Sequence, residues 1–216
     1  MNNRADKTSK TKKPSNDTRA TRYVALLRGI NIGGRNLMAM PKLQSSFEKA
    51  GMQDVSTYIN TGNVLFRKAK LSPSAIVAKL EEAIRQDFAL DIKVLLRCYG
   101  DFKSLMDFLP VGWANNSDMK CDVMFLWEGI DDPAILADLV KDDKQVITST
   151  SGKRPTKKGE EHLHYVPGAV IWQVNRNKIS KCHSLQKLAS NKLYKKMTVR
   201  NINTIRKLYE LMGNTL

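Results

Sequence analysis

The sequence predicts an α+β protein of two subdomains, the first a split βαβ unit with an antiparallel sheet. Three observations carry that prediction. Residues 22–98 alternate compact apolar runs with amphipathic segments in the order βαββαβ. Residues 99–216 hold a second alternating set, less regular and more basic. The chain has 216 residues, enough to bury a real core as one large domain or two small ones.

The elements follow in order. YVALL (23–27) is a compact apolar run ending in Arg28-Gly29, as a buried strand does. Gly33 and Gly34 break the chain, and 40–51 reads as a short helix with Pro41 in its first turn and Gly51 at its end. DVSTYIN (54–60) and NVLFRK (63–68) read as strands joined by Thr61-Gly62. Ser72-Pro73 opens a helix whose Ile76, Leu80, Ala83, Ile84 and Phe88 share one face. DIKVLLR (91–97) closes the set as a strand. That order is the ferredoxin-like arrangement, two helices over one face of four antiparallel strands. Beyond it the pattern predicts a helix at 101–109, a strand at 121–128, a helix at 132–140 and a strand at 144–150. A hairpin over 162–175 turning at Pro167-Gly168, one or two basic helices over 179–196 and a last helix over 201–213 complete the chain.

Charge is unevenly spread. Residues 1–22 carry seven Lys/Arg against two acids, 23–149 carry fifteen against sixteen, and 150–216 carry fourteen against three, within a formal net charge of +15. A near-neutral body thus bears a basic leader (1–21), expected to be disordered, and a strongly basic final third. Such asymmetry favours polyanionic partners, nucleic acid among them. Cys98, Cys121 and Cys182 stand far apart with no Cys-x-x-Cys pair, which argues against a disulfide framework or thiolate zinc site and suits a reducing cytoplasm. No segment is long and apolar enough to span a bilayer, so no membrane partner is expected.

Three short segments share an unusual composition: RGINIGG (28–34), TYINTGN (57–63) and TVRNINT (198–204). Each crowds Arg, Asn, Thr or Gly against an apolar stretch. Arg offers a planar fork of donors, Asn both donor and acceptor, and Gly a close backbone approach. RGINIGG has neither the dinucleotide-binding spacing nor the Lys-Ser/Thr of a P-loop, and alone would be a sharp turn. Tyr58 and Asn60 alternate with Ile59 and so are expected on one face. Arg200 stands just ahead of a helix N-terminus, whose field favours anions, and Asn201 or Asn203 is the expected cap.

If the three segments meet, the candidate ligand-binding set is Arg28, Asn31, Gly33, Gly34, Asn36, Tyr58, Thr61, Gly62, Asn63, Arg200, Asn201 and Asn203. In that site Arg28 and Arg200 clamp an anion, the Gly33–Gly34 amides line it, and Asn63 and Asn203 orient it. His162 and His164 share a strand face but lack a third ligand, so no metal is expected. No triad or carboxylate pair marks catalysis, and no cofactor is implied. A mobile basic flap at Lys153, Arg154, Lys157 and Lys158 could close on a polyanion.

YVALLRGINIGG, TYINTGNVLF and MTVRNINTIRKL closely resemble the signatures of the largely bacterial domain-of-unknown-function family 1697, from about Arg22 to the C-terminus. The resemblance implies an α+β structure of two subdomains, the first ferredoxin-like, and no established reaction. It places motif positions on Arg28, Gly29, Asn31, Gly33, Gly34 and Asn36, then Thr57, Tyr58, Gly62 and Asn63, then Thr198, Arg200, Asn201, Asn203 and Thr204. The family commonly has Trp where this chain has Ile202, and the leader lies outside its pattern.

Four readings stand at this point. The first is a cytoplasmic protein that binds a small phosphate- or carboxylate-bearing ligand in the Arg/Asn/Gly cleft. The second is a nucleic-acid-binding protein using the final third and the leader. The third is an enzyme acting on a phosphorylated substrate, with Tyr58 as proton donor. In the fourth the Arg/Asn clusters only stitch the two subdomains together.

Overall fold

A computed structural model describes residues 21–68, 70–109, 112–140, 146–150, 161–181 and 192–213. The expected leader, the basic flap and the centre of the expected basic helices at 182–191 lie outside these residues. The first half runs β1 (Thr21–Leu27), α1 (Met40–Lys49), β2 (Gln53–Tyr58), β3 (Asn63–Lys68), α2 (Pro73–Phe88) and β4 (Val94–Cys98). Its sheet has the order β2-β3-β1-β4, antiparallel throughout, as the split βαβ reading requires. The second half runs α3 (Tyr99–Phe108), β5 (Met119–Leu126), α4 (Ile135–Val140), β6 (Val146–Ser149), β7 (Glu161–Val166), β8 (Ala169–Asn175), β9 (Met197–Asn201) and α5 (Ile202–Gly213). Its five-stranded sheet has the order β6-β7-β8-β5-β9. Among the described strands, only β6 and β7 pair in parallel.

Local chemistry sets the element ends. Ser72 caps α2 by accepting the Ala75 amide at 3.2 Å, with Pro73 in the first turn. Ala89 closes α2 in the left-handed conformation, where its amide reaches the Arg85 carbonyl. β1 is buried on both faces, which is why it reads as an unbroken apolar run.

Three cores stack through the molecule. Leu43 and Phe47 of α1 and Ile76, Leu80 and Ile84 of α2 pack on Ala25, Leu27, Val64 and Phe66 of the first sheet. The opposite face of that sheet, with Val24, Leu26, Leu65 and Leu95, meets the second sheet at Val123, Phe125 and Ile171. Phe102 and Leu105 of α3 and Ile202, Ile205 and Leu208 of α5 fill the same middle core. An outer core gathers Leu136, Leu163, Val170 and Trp172 beneath α4. Each fully buried aliphatic or aromatic side chain contributes about 1.5–3 kcal/mol of transfer free energy, so the middle layer ties the two sheets strongly together.

Two expectations change. Residues 197–201 form a strand paired with β5, not simply an approach to the last helix. Residues 176–181 and 192–196 form 3₁₀ turns, so the ends of the expected basic helices are tighter and shorter than α-helix. None of the described helices is long and apolar enough to cross a membrane.

Candidate functional site

The three motifs do converge. Residues 28–34 leave the end of β1, residues 57–63 form the β2–β3 connection, and Arg200 sits in β9 at the edge of the second sheet. Arg200 reaches from one sheet to the other. Its Nε donates to Asn63 Oδ1 at 2.6 Å. Its Nη2 donates to the carbonyls of Leu27 at 2.8 Å and Thr61 at 3.0 Å, with Gly62 at 3.4 Å. Its Nη1 donates to Thr198 Oγ1 at 2.9 Å and to the Val199 carbonyl at 2.8 Å. The five N–H groups of a guanidinium are thereby engaged.

Arg200 is only 8% exposed, and burial pushes its pKa down to about 10. It remains a cation at neutral pH, solvated by carbonyl, amide and hydroxyl oxygens. Asn63 is fully buried. Its Nδ2 donates to the Tyr58 carbonyl and Thr61 Oγ1, both at 3.0 Å, while its oxygen faces Arg200. The expected open clamp is therefore closed at this corner, because the protein's own oxygens occupy the donors intended for an anion.

Arg28 makes a second tie. Its Nε and Nη2 donate to the carbonyls of Met197 at 3.1 Å and Tyr194 at 3.2 Å, and its guanidinium lies 5.6 Å from the Tyr194 ring centroid. Sequence reasoning missed a third. Arg97 donates to the carbonyls of Leu126 at 2.7 Å and Gly168 at 3.1 Å and lies 5.9 Å from the Phe125 ring centroid. Burial lowers its pKa from the usual arginine value. Carbonyl acceptors belong to every residue, so no side-chain pattern announces such a bond.

The other predicted residues divide by place. Asn31 organises the loop after β1. Its Nδ2 donates to the carbonyls of Met38 at 3.1 Å and Asn60 at 2.8 Å, and its oxygen accepts the Met38 amide at 2.7 Å. Asn36 Nδ2 donates to the Gly29 carbonyl at 2.9 Å. Asn31 and Asn36 both adopt positive φ, 52° and 48°, a conformation their short amide side chains tolerate. Gly33 and Gly34 lie on the exposed tip with Ile32, Arg35 and Leu37.

Asn201 caps α5, accepting the Asn203 amide at 2.8 Å. Asn203 Nδ2 turns to the Asn115 carbonyl at 2.9 Å and does not join the Arg200 corner. β2 ends at Tyr58, and Ile59 takes φ 49°. This corrects the expected alternation of Tyr58 and Asn60 on one strand face. Tyr58 packs instead against the middle core.

His162 and His164 are buried on β7. His164 Nδ1 lies 2.6 Å from Ser149 Oγ, its buried Nε2 has no hydrogen-bond partner among the described residues, and burial lowers its pKa. Cys121 is fully buried, and burial drives its thiol up to about 12, so it remains an unreactive thiol at neutral pH.

Among solved structures, the chain resembles the conserved bacterial protein SP0830 from Streptococcus pneumoniae. The TM-score is 0.73 at 25% sequence identity, over 91% of this chain and 100% of that one. No curated protein matches the sequence. A family of proteins of unknown function matches residues 20–154, which takes in the first two motifs and stops short of the third at 198–204. With that match over more than half of its length, the chain belongs to the DUF1697 family.

Proposed function

We propose that this is a nucleic-acid-binding protein whose contact surface is its basic C-terminal third together with the loop that follows Arg28. The carrying observation is the turn at 192–196, fastened to the first sheet by the Arg28–Tyr194 contact. It presents Lys192, Lys195 and Lys196 to solvent. Exposed Arg35 lies on the neighbouring loop, whose shape Asn31 and Asn36 hold and whose Gly33 and Gly34 amides are open to a phosphate. Fourteen Lys/Arg against three acids in residues 150–216 give the long-range field that such a surface needs.

The closed state of Arg200 and Asn63 turns this reading away from a small ligand in the motif corner. In the same reading, residues 22–98 and 99–216 are two units that Arg28, Arg97 and Arg200 fasten together, so that the cationic surface keeps its shape.

Fluorescence anisotropy with labelled single-stranded and duplex oligonucleotides tests the proposal. The logarithm of the affinity should fall linearly with the logarithm of salt concentration, and deleting residues 1–21 should weaken binding. Replacing Lys192, Lys195 and Lys196 together with Gln should reduce the slope by about two to three, one phosphate contact per lysine. A flat salt response, or an unchanged slope in the triple variant, rejects the proposal.

A further inference from the structure

Among the described residues, four large apolar side chains stand exposed, and three of them share one end of the first sheet. Ile32 is 64% exposed, Leu37 70% and Ile59 47%, while the fourth, Tyr99, begins α3. Single apolar residues on a surface are ordinary, but a cluster of them marks a place where something docks.

The segment that carries Ile32 and Leu37 is an ordered finger. Ile32 and Arg35 form an antiparallel bridge around Gly33-Gly34, with the Arg35 amide donating to the Ile32 carbonyl at 3.0 Å. Both glycines have positive φ, 56° and 76°, as a two-residue hairpin turn of the tightest kind requires. One step down, the Asn31 amide donates to the Asn36 carbonyl at 3.2 Å. The Asn36 side chain holds the Gly29 carbonyl, and Asn31 Nδ2 holds the carbonyl of Asn60, next to Ile59. The three apolar side chains are thereby presented together on tied loops, and ordering them costs a partner little.

The setting of the finger is cationic. Arg35 stands on it, and Arg28 at its base bonds the Tyr194 carbonyl in the turn that exposes Lys192, Lys195 and Lys196. Charge complementarity therefore favours a polyanion over a neutral protein face as the partner. Aliphatic side chains offer no ring on which an unpaired base can stack. Side chains of this kind serve as wedges, entering the minor groove of a duplex and parting a base step. The two glycines put no side chain at the tip to bar a groove about 6 Å wide.

We propose that the partner is duplex DNA, which the finger at 30–37 enters through the minor groove. Ile32 and Leu37 wedge a base step and bend the helix, while Arg35 and the lysines of the turn hold the flanking phosphates. This rests on the nucleic-acid reading and adds to it the class of nucleic acid and its deformation.

Energy transfer between dyes at the two ends of a duplex of about 25 base pairs reads the bend, and anisotropy of the same duplex reads binding. The wild type should bring the ends closer together. Replacing Ile32 and Leu37 together with Ser alters two exposed positions and should abolish the bend. It should weaken duplex binding about tenfold, as expected when a buried aliphatic contact is lost. The salt slope should stay as it was, since no cation is removed. Salt-dependent binding without a bend, or a bend that the Ile32→Ser/Leu37→Ser protein keeps, would overturn the wedge and leave the nucleic-acid reading standing. Absence of binding to either duplex or single strand would remove both. Without a bend, detachment of the variant from phosphatidylserine vesicles, or its failure to form a dimer that the wild type forms, would give the finger to another partner and equally overturn the proposal.

Discussion

Arg200 and Arg28 belong to motifs of similar composition, yet their surroundings set them apart. Replacing Arg200 with Lys keeps the charge but substitutes a compact ammonium with three donors for a planar fork with five. Lysine cannot span Asn63 Oδ1, the Leu27 and Thr61 carbonyls and Thr198 Oγ1 at once, and the acceptors it abandons are buried. Each stranded buried polar group costs about 1–3 kcal/mol. Arg200→Lys should therefore lose about 3 kcal/mol in urea unfolding. Arg28→Ala, with two bonds from a half-buried side chain, should lose about 1–2 kcal/mol. Equal losses from the two would mean that burial of the fork does not govern its contribution. Composition singled out the three motifs and left their meeting as a condition. What Arg28 and Arg200 would bond was not legible, because main-chain carbonyls leave no trace in residue type.

At the level of elements, the β2–β3 connection and the loop after β1 show how one glycine differs from another. Gly62 adopts φ 78°, and a Cβ there would lie 2.8 Å from Leu27 Cβ and 2.9 Å from Ile30 Cδ1. Both neighbours are buried, so neither gives way without disturbing the core. Gly33 also has positive φ, 56°, but a Cβ there would meet nothing within 4 Å. Gly33→Ala should cost only the backbone term, about 1–2 kcal/mol. Gly62→Ala should add an overpacking cost of about 1–3 kcal/mol, and its amide protons near Leu27 should exchange faster. A Gly33→Ala loss as large as that of Gly62→Ala would show that contact with Leu27 and Ile30 is immaterial. Strand and helix order through residue 98 was readable because each element has a clean period and a turn signal on both sides. β9 escaped because MTVRN is short and ends on an arginine and an asparagine. Its pairing with β5 is a long-range fact that no local pattern reports.

Across the whole molecule, the shared middle core and the three arginine ties make unfolding of either sheet expose the other, so stability should respond to pH as one property. His164 is buried on the β7 face it shares with Val166 of the middle core. Its Nδ1 lies against Ser149 Oγ, and donation of the Nδ1 proton leaves Nε2 a bare lone pair, which costs less than a stranded N–H. Protonating Nε2 places a cation in a dry layer, so the folded pKa lies below the value of 6.5. The unfolded chain then binds the proton more readily, and stability falls as pH drops from 6.5 through the folded value. Asp122 acts in the opposite sense: burial raises its carboxyl above 3.8, a contribution complete below that value and lost as pH rises through the folded one. On the alkaline side, burial holds Cys121 at about 12 against 9.0, and burial with the Asp131 carboxylate holds Tyr165 at about 12 against 10.0. The unfolded chain releases those protons first, so stability declines as pH climbs from 9.0 towards 12. Urea unfolding at intervals from pH 4 to pH 11 should trace a plateau between these limits. His164→Gln removes the titrating ring nitrogen and should flatten the fall that begins at 6.5, leaving the alkaline limb in place. Should that variant follow the wild-type acid limb without change, the buried imidazole is not what sets it.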